Sequence, residues 1–214
     1  MVSINKESKS RIEEIFAKEL EKDVNLIFFT DVQSKCELCN EMKQLLEELS
    51  ALTKKIKLTV YEIGKNKKEA KFLGIEKAPA LVIGGEKLYN LYYYGLPSGY
   101  EFPALVDDII DASHGNTNLS ETTKNKLKDI KRITDIKVFV TPTCPYCSKA
   151  VRMAHQFSIE NLNIKGIMIE SNEFPELANR YGVMAVPKIV INDKISFEGS
   201  IPEKDFLEQV FKAI

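Results

Sequence analysis

Short apolar runs alternate with amphipathic segments along the whole chain, and the same order of elements occurs twice. The runs VNLIFFT (24–30) and IKVFVT (136–141) are rich in β-branched and aromatic residues, which predicts buried strands. After each run the pattern predicts a helix, a strand, a short helix, two further strands and a final helix. Extra helices are predicted at about residues 7–20 and 120–132. This alternation predicts α/β units, each with at least one parallel strand pair.

A constant offset relates the two copies. The CELC segment (36–39) is followed 108 positions later by the CPYC segment (144–147), and Pro79 is followed 108 positions later by Pro187. Both prolines come 40 positions after the second cysteine of their copy and open an apolar run. Such self-similarity indicates a tandem duplication of one structural unit.

The division into domains follows from the segment between the copies. ASHGNTNLS (112–120) is rich in glycine, asparagine and serine, which is typical of a linker. We therefore predict two domains, residues 1–117 and residues 118–214. A chain of 214 residues is long enough for two domains of about 100 residues each.

Composition narrows the class of protein. The 30 lysines and arginines nearly balance the 31 aspartates and glutamates, and no segment concentrates basic residues, so nucleic acid is an unfavoured partner. No apolar run reaches the length of a membrane span, and the charged N-terminus is unlike a signal peptide. All four cysteines lie in the two short pairs rather than in a scattered framework. We expect a soluble protein of the reducing cytoplasm.

The position of the cysteine pairs favours redox chemistry. A thiol at the first turn of a helix lies beside unpaired backbone N–H groups, which favour the reactive thiolate. We therefore predict that Cys36 and Cys144 are nucleophiles, and that Cys39 and Cys147 resolve the mixed disulfides they form. Pro145 is predicted at a first helical position, where its missing N–H costs no helical hydrogen bond.

The two prolines are unusual at the head of a strand, because proline cannot donate to a sheet ladder. Their recurrence at the same place is explained by cis peptide bonds, Ala78–Pro79 and Val186–Pro187. Such a bond would turn the preceding backbone beside the cysteines, where it can pair with an extended substrate chain. These four residues are the predicted substrate-binding residues.

Two other interpretations of the cysteine pairs compete with redox chemistry. Zinc ribbons place their pairs about 15–20 residues apart, whereas 104 residues separate Cys39 from Cys144. A structural disulfide is also disfavoured, because closing so short a loop constrains the unfolded chain little. We therefore predict no bound metal, and retain a zinc-dependent or redox-inert interaction scaffold as the competing class.

Three further ionisable residues lie close to these motifs. His155 follows Cys147 on the same predicted helix, and a surface or packing role is favoured over acid–base chemistry. Glu62 and Glu170 end corresponding strands and are interpreted as surface carboxylates, with assistance to proton transfer as the alternative.

The second half, with CPYC and its downstream proline, resembles glutaredoxins and the wider thioredoxin superfamily. Together with CELC, the segments VFVTPTCPYCSKAVRMAHQFSIEN, YGVMAVPKIVIN and YYYGLPSGYEFPALVDDIIDAS resemble the two-unit protein disulfide oxidoreductases of heat-loving archaea and bacteria. The resemblance covers nearly the whole chain. It implies two tandem thioredoxin-like domains, each a central mixed β-sheet flanked by helices, and a protein disulfide isomerase-like activity.

The resemblance also implies partners. The expected substrates are protein disulfides, with no bound cofactor other than the redox-active disulfides themselves. Electrons would come from an NADPH-dependent, thioredoxin-reductase-like flavoenzyme. The alternative is a dedicated electron carrier that passes electrons from such a flavin disulfide reductase to a peroxiredoxin. The thioredoxin motif WCGPC is absent, as is any tryptophan, so thioredoxin-type partner recognition is not implied.

The two sites are not expected to be equal. Glu37 brings a negative charge between the cysteines of CELC, and Lys35 offsets part of it, whereas CPYC has no charged residue at these positions. Because a negative charge opposes a neighbouring thiolate, we predict that Cys144 is the more acidic thiol and that its site is the more oxidising.

Overall fold

The computed structural model of the chain describes residues 4–32 and 36–214. Lys35 therefore lies outside the described residues. The first half contains α1 Lys6–Glu19, β1 Val24–Thr30, α2 Cys39–Ala51, β2 Ile56–Glu62, α3 Lys67–Leu73, β3 Ala80–Gly84, β4 Leu88–Tyr94 and α4 Glu101–His114. The second half contains α5 Glu121–Leu127, β5 Thr134–Val140, α6 Cys147–Glu160, β6 Ile164–Glu170, α7 Pro175–Arg180, β7 Lys188–Ile191, β8 Ile195–Glu198 and α8 Glu203–Ala213.

Each half contributes four strands with the same pairing. In the first half β1 is parallel to β2 and antiparallel to β3, which is antiparallel to β4. In the second half β5 is parallel to β6 and antiparallel to β7, which is antiparallel to β8. The predicted α/β architecture, with mixed sheets flanked by helices, is confirmed.

One feature not predicted from the sequence is that the two sheets are continuous. Strands β4 and β6 pair in parallel from Leu91–Gly166 to Tyr94–Ile169, which gives the order β2-β1-β3-β4-β6-β5-β7-β8 among the described strands. The pairing satisfies backbone groups that would otherwise lie unpaired at two sheet edges. One apolar core cluster accordingly contains residues of both halves.

Helix α6 packs closely against β6, the strand that pairs with β4 of the other half. A Cβ atom on Gly166 would lie 2.6 Å from the carbonyl oxygen of Ala154, so only glycine lets the helix approach this closely.

A buried polar network fixes α6 against α4 of the other half. Asp108 has no exposed side-chain surface; it accepts a hydrogen bond from Tyr93, pairs with Arg152, and lies 2.6 Å from Nδ1 of His155. Arg152 also pairs with Asp111 at 2.6 Å. The charge of Arg152 lowers the pKa of Asp108 despite its burial, so the carboxylate is held ionised. Helix α6, which begins at Cys147 of the second cysteine pair, is therefore anchored by residues of the first half.

Helix α5 is shorter than predicted. It ends at Leu127 instead of continuing to 132. The side-chain amide of Asn161 donates to the carbonyl oxygens of Leu127 and Ile130, at 2.6 and 2.9 Å, and Asn163 donates to Ile130 at 3.0 Å. These side chains take over the acceptors that a longer helix would use. Residue 117 lies between α4 and α5, and a domain boundary there stays a prediction.

None of the helices in the described part of the chain is both long and apolar enough to cross a membrane.

Candidate active site

The first cysteine pair is a disulfide at the start of α2. Cys36 and Cys39 are bonded, with their Cα atoms 5.5 Å apart. Cys39 is the first helical residue and is buried, whereas Cys36 lies in the preceding turn and is half-buried. The sulfur of Cys36 is therefore the one that a substrate can reach.

The second pair has the same arrangement at the start of α6. Cys144 and Cys147 are bonded with the same Cα separation of 5.5 Å. Cys147 is completely buried, and Cys144 keeps 8% of its surface exposed. In both halves the first cysteine is thus the more accessible of the two, as expected of a nucleophile paired with a resolving thiol.

The prediction for Pro145 was wrong. Helix α6 begins at Cys147, so Pro145 lies in the turn that leads into the helix. The amide of Cys147 donates to the carbonyl oxygen of Cys144 at 3.4 Å, and this turn precedes the first helical residue.

The helix termini behind the disulfides are left open by the residues that precede them. Neither Leu38 nor Tyr146, the N-cap residues of α2 and α6, makes a side-chain capping bond in the described structure. The first-turn backbone N–H groups of these helices are therefore not capped by the preceding side chains, and the positive helix terminus can favour a thiolate beside it.

Both prolines adopt the predicted geometry. The Ala78–Pro79 and Val186–Pro187 peptide bonds are cis. The carbonyl oxygen of Val186 lies 3.7 Å from the sulfur of Cys144, within reach of a thiol hydrogen in the reduced protein. In the first half Cys36, Ala78 and Pro79 line one cavity. Each proline-preceding residue therefore lies beside its cysteine pair; their role in binding substrate stays a prediction.

Similarity to known proteins agrees with this geometry. Residues 134–212 match the thioredoxin domain family. The whole chain is 30% identical to a protein disulfide oxidoreductase from Aeropyrum pernix, whose crystal structure matches with a TM-score of 0.91, covering 98% of this chain and 93% of that one. The chain belongs to the thioredoxin-like disulfide oxidoreductases.

A second group of similar proteins has a different name. The NTD_N/C domain of the alkyl hydroperoxide reductase AhpF from Enterococcus faecalis shares the fold, with a TM-score of 0.89 at 24% identity, covering 97% of this chain and all of that one. The alkyl hydroperoxide reductase AhpF of Staphylococcus epidermidis is 24% identical over 97% of this chain but only 38% of its own length. The oxidoreductase chain thus spans about a third of the length of such curated relatives.

The first site of this oxidoreductase faces a cleft to which both halves contribute. A cavity of about 600 Å³ is lined on one side by Cys36 and Pro79 and on the other by Pro142, Glu170 and Glu173. Burial raises the pKa of Glu173 to about 7, although the amide of Leu96 donates to its carboxylate at 2.7 Å. The cleft therefore places carboxylates of the second half opposite the first cysteine pair.

Glu170 differs from its interpretation as a surface carboxylate. It is only 3% exposed and accepts hydrogen bonds from the amide of Glu173 at 2.7 Å and from the side chain of Asn172 at 2.9 Å. Burial raises its pKa. Its counterpart Glu62 is half-buried and pairs with Lys65.

The second site of the oxidoreductase is bordered by apolar groups. Tyr146, between the cysteines, is 64% exposed, and Met184, two residues before Val186, is 91% exposed. Exposed apolar side chains of this size favour contact with a partner surface.

His155 is fully buried within the Asp108 network, so of the two roles predicted for it the packing role is confirmed. Sequence reasoning missed the burial of Glu101. Glu101, the first residue of α4, is 1% exposed, and neither carboxylate oxygen has a hydrogen-bond partner among the described residues. Burial, reinforced by the charge of Asp108, raises the pKa of Glu101 to about 8. A glutamate in the first turn of a helix is ordinarily solvated, so the sequence carried no signal of this burial.

Proposed function

We propose that this chain is a protein disulfide oxidoreductase that reduces, oxidises and isomerises disulfides of protein substrates through two CxxC centres. Cys36 and Cys144 act as nucleophiles and Cys39 and Cys147 as resolving thiols. The backbone at Ala78–Pro79 and at Val186–Pro187 binds the substrate segment that carries the disulfide. Two tandem thioredoxin-like domains carry one centre each.

The observation that supports this proposal most directly is the contact between the sulfur of Cys144 and the carbonyl oxygen of Val186 at 3.7 Å. A substrate strand that pairs with the backbone at Val186 would have its own disulfide beside the accessible cysteine. The resolving sulfur of Cys147 is buried behind it. This order of groups suits an attack in two stages.

The reaction balances without a bound cofactor. In the reduced protein the Cys144 thiolate attacks one sulfur of the substrate disulfide, the S–S bond breaks, and the departing substrate sulfur takes up a proton. The Cys147 thiolate then attacks Cys144, releases the second substrate thiol, and closes the protein disulfide. Two electrons have passed to the substrate. A flavoenzyme that draws on NADPH would then return two electrons and restore the reduced protein. The reverse sequence starts from the protein disulfide, oxidises a substrate dithiol and leaves the protein reduced.

The test is reduction of insulin disulfides by dithiothreitol in the presence of catalytic amounts of the purified chain. Turbidity from the released insulin chains should appear much earlier than with dithiothreitol alone. Recovery of activity from a scrambled disulfide-containing protein measures isomerisation. A folded chain that accelerates neither reaction would contradict the proposal, and stoichiometric zinc in the same preparation would favour the scaffold alternative.

A second candidate is a dedicated electron carrier between a flavin disulfide reductase and a peroxiredoxin. The similarity to the alkyl hydroperoxide reductases named AhpF, over 97% of the chain, favours it. Stopped-flow mixing of the reduced chain with a peroxide-oxidised peroxiredoxin, and separately with insulin, distinguishes the two roles. The carrier role predicts a much faster second-order rate with the peroxiredoxin, and the general role predicts comparable rates.

A further inference from the structure

The cleft at the first site continues beyond the cysteine pair into a second cavity. The cavity of about 600 Å³ that contains Cys36 shares Ala78, Glu173 and Pro175 with a neighbouring cavity of about 430 Å³. Together they form one groove between the proline loop of the first half and the β6–α7 segment of the second half. We call it the acidic groove, because most of the charged residues that line it are carboxylates.

Charged side chains along the acidic groove are almost all negative. The carboxylates that line it are Asp31, Glu37, Glu76, Glu170, Glu173 and Glu176. Among the described lining residues Lys77 is the one cation, and its ammonium lies 3.9 Å from the carboxylate of Glu176. The five glutamates alone outnumber Lys77, so a substrate segment that approaches Cys36 through the groove meets an excess of negative charge.

Two of these carboxylates are held in fixed positions. Glu173 accepts a hydrogen bond from the amide of Leu96 of the first half, and Glu170 accepts one from the amide of Glu173, both at 2.7 Å. A concave wall with fixed charges of one sign concentrates its field in the space it encloses, which raises the local concentration of oppositely charged groups.

At the second site, two positions that carry carboxylates in the groove of the first site are uncharged. The position that Glu76 occupies beside Ala78 is held by Met184 beside Val186, and the position of Glu37 is held by Pro145. Met184 is 91% exposed, so the equivalent approach to Cys144 presents an apolar group instead of a carboxylate.

We propose that the acidic groove makes the first site selective for disulfides whose flanking residues are lysine or arginine, and that the second site does not share this preference. The inference rests on the proposed function, since it names the substrate class of a centre taken to be redox-active. The redox step is unchanged: it is the approach of the substrate to Cys36 that the carboxylates favour.

The experiment isolates each site and varies only the charge of the substrate. Cys144→Ser/Cys147→Ser leaves the first site, and Cys36→Ser/Cys39→Ser leaves the second. The probes are two fluorogenic peptides with one disulfide each, identical except that the flanking residues are lysines in one and glutamates in the other. Dithiothreitol supplies the electrons, and kcat/KM is measured for both peptides. At about pH 8 the Glu173 carboxyl, whose pKa is about 7, is mostly ionised.

At low salt the first-site protein should reduce the lysine peptide about tenfold more efficiently than the glutamate peptide, the lower end of electrostatic steering effects. The ratio should fall to about twofold in roughly 0.5 M NaCl, because the ions screen the groove. The second-site protein should show a ratio near one under both conditions.

Substitution of groove carboxylates in the first-site protein tests whether they cause the preference for the lysine peptide. Glu173→Gln keeps an oxygen that can accept from Leu96, and Glu176 is an exposed side chain, so both substitutions preserve the packing. Glu173→Gln/Glu176→Gln should lower the lysine preference about threefold, as expected from removing two of the nearby charges. Glu208→Gln, the same charge change at an exposed position of α8 remote from the groove, should leave the ratio unchanged.

Three outcomes would overturn the inference. Equal ratios at the two sites, or a lysine preference that the glutamine variants do not alter, would show that the groove does not select substrates, and the proposed function would stand. A first-site protein that is folded but reduces neither peptide nor insulin would overturn both the inference and the proposed function for this centre.

Discussion

The two disulfide sites share a backbone arrangement and differ in the side chains around it. In both, a buried cysteine opens a helix, a less deeply buried cysteine precedes it, and a cis proline follows. Around the first, Glu37 and Glu76 are charged; the corresponding positions of the second are Pro145 and Met184. The two copies keep the cysteines and prolines and differ in the side chains around them. This difference is what the proposal of one chemistry with two substrate preferences is based on.

The sites differ also in how their helices are held. Helix α6 is fixed to the other half through the fully buried Asp108. Helix α2 is held by Glu48, which accepts from the amide of Ile4 at 3.0 Å and pairs with Lys9 at 3.2 Å, near the surface and within the same half. The anchoring of α6 therefore depends on the joint between the halves more than the anchoring of α2 does.

The largest effect should come from removing both nucleophiles. Cys36→Ser and Cys144→Ser singly should each retain the activity of the remaining site, whereas the combined variant should lose insulin reductase activity by more than about 100-fold, as nucleophile removal generally does. Circular dichroism of the combined variant verifies its fold. Substantial activity in that protein would show that other groups catalyse the reaction, and loss of all activity in one single variant would show that the sites are not independent.

The next largest effect concerns the anchoring of the two helices. Asp108→Asn removes the charge that Arg152 and His155 face in a buried site, so we expect the free energy of unfolding to fall by about 3 kcal/mol. Glu48→Gln breaks the more exposed pair with Lys9 and should cost less than about 1 kcal/mol.

Urea unfolding of both variants measures these differences. Equal losses would mean that the buried network adds nothing to the anchoring of α6. A loss confined to one of two separate unfolding transitions would show that the halves unfold independently and would support the predicted boundary near residue 117.

Most of the fold could be predicted from local patterns in the sequence. β-branched runs, helical spacing and the repeated proline predicted the strands, the helices and the cis peptide bonds, because each depends on residues close in sequence. The joining of β4 to β6 could not be predicted, since a parallel pairing between two edges leaves no pattern in either strand. The burial of Glu170 and Glu101 was missed as well. Glu170 packs against Gly95 of the first half, a contact that leaves no pattern in the sequence around it.

For the sites, the sequence identified the cysteines and prolines but not their surroundings. Glu76 and Met184 stand at equivalent positions of the two copies, yet their difference acquires meaning only when Glu76 is seen to line a groove with carboxylates of the second half. Cysteines and prolines that repeat after 108 positions can be recognised in the sequence, whereas a groove lined by residues of both halves can be recognised only in the structure.

Two glutamates that open corresponding helices should respond oppositely to pH. The pKa of Glu101 in the folded state, about 8, lies above the ordinary value of 4.5, so the folded state holds this proton more tightly and stability falls as pH rises between these values. Glu203 opens α8; burial acts to raise its pKa, but hydrogen bonds from Ser120 outweigh burial and lower it. The stabilisation that ionised Glu203 gives the folded state is therefore fully present above pH 4.5, and it is lost as the pH falls through the lowered pKa of Glu203.

Substitution by glutamine removes both titrations. At about pH 9, Glu101→Gln should be more stable than the parent by about 2 kcal/mol, because the buried carboxyl of the parent is mostly ionised there and glutamine carries no charge; the gain should vanish near pH 4. Glu203→Gln should be less stable than the parent at neutral pH by about 1 kcal/mol. Thermal unfolding across the pH range measures both; a Glu101→Gln gain that does not grow with pH would contradict the assignment of a protonated carboxyl.

The last prediction is the inequality between the two nucleophiles, for which the structure adds a further reason. Glu37 adjoins Cys36, and Glu170 and Glu173 line the same cavity, so negative charge should raise the pKa of the Cys36 thiol above that of Cys144. The carbonyl group of the residue before the proline should not make the two thiol pKa values differ, because Ala78 and Val186 occupy equivalent positions. The deeper burial of Cys144 should raise its own thiol pKa and so acts in the opposite direction, but Cys36 is itself half-buried. We therefore expect the charges to dominate and the second site to be the more oxidising by about 30 mV, which is about 1.4 kcal/mol for this couple.

Iodoacetamide alkylation against pH in the two single-site proteins measures the order of the thiol pKa values, and equilibration with glutathione measures the two potentials. Glu37→Gln in the first-site protein should move the Cys36 profile toward that of Cys144, because it removes the nearest charge without altering the turn, while Glu208→Gln on remote α8 should not. A Cys36 thiol as acidic as Cys144, or more so, would overturn the ranking and would mean that the open helix terminus, common to both sites, governs the thiolate more strongly than the carboxylates of the cleft.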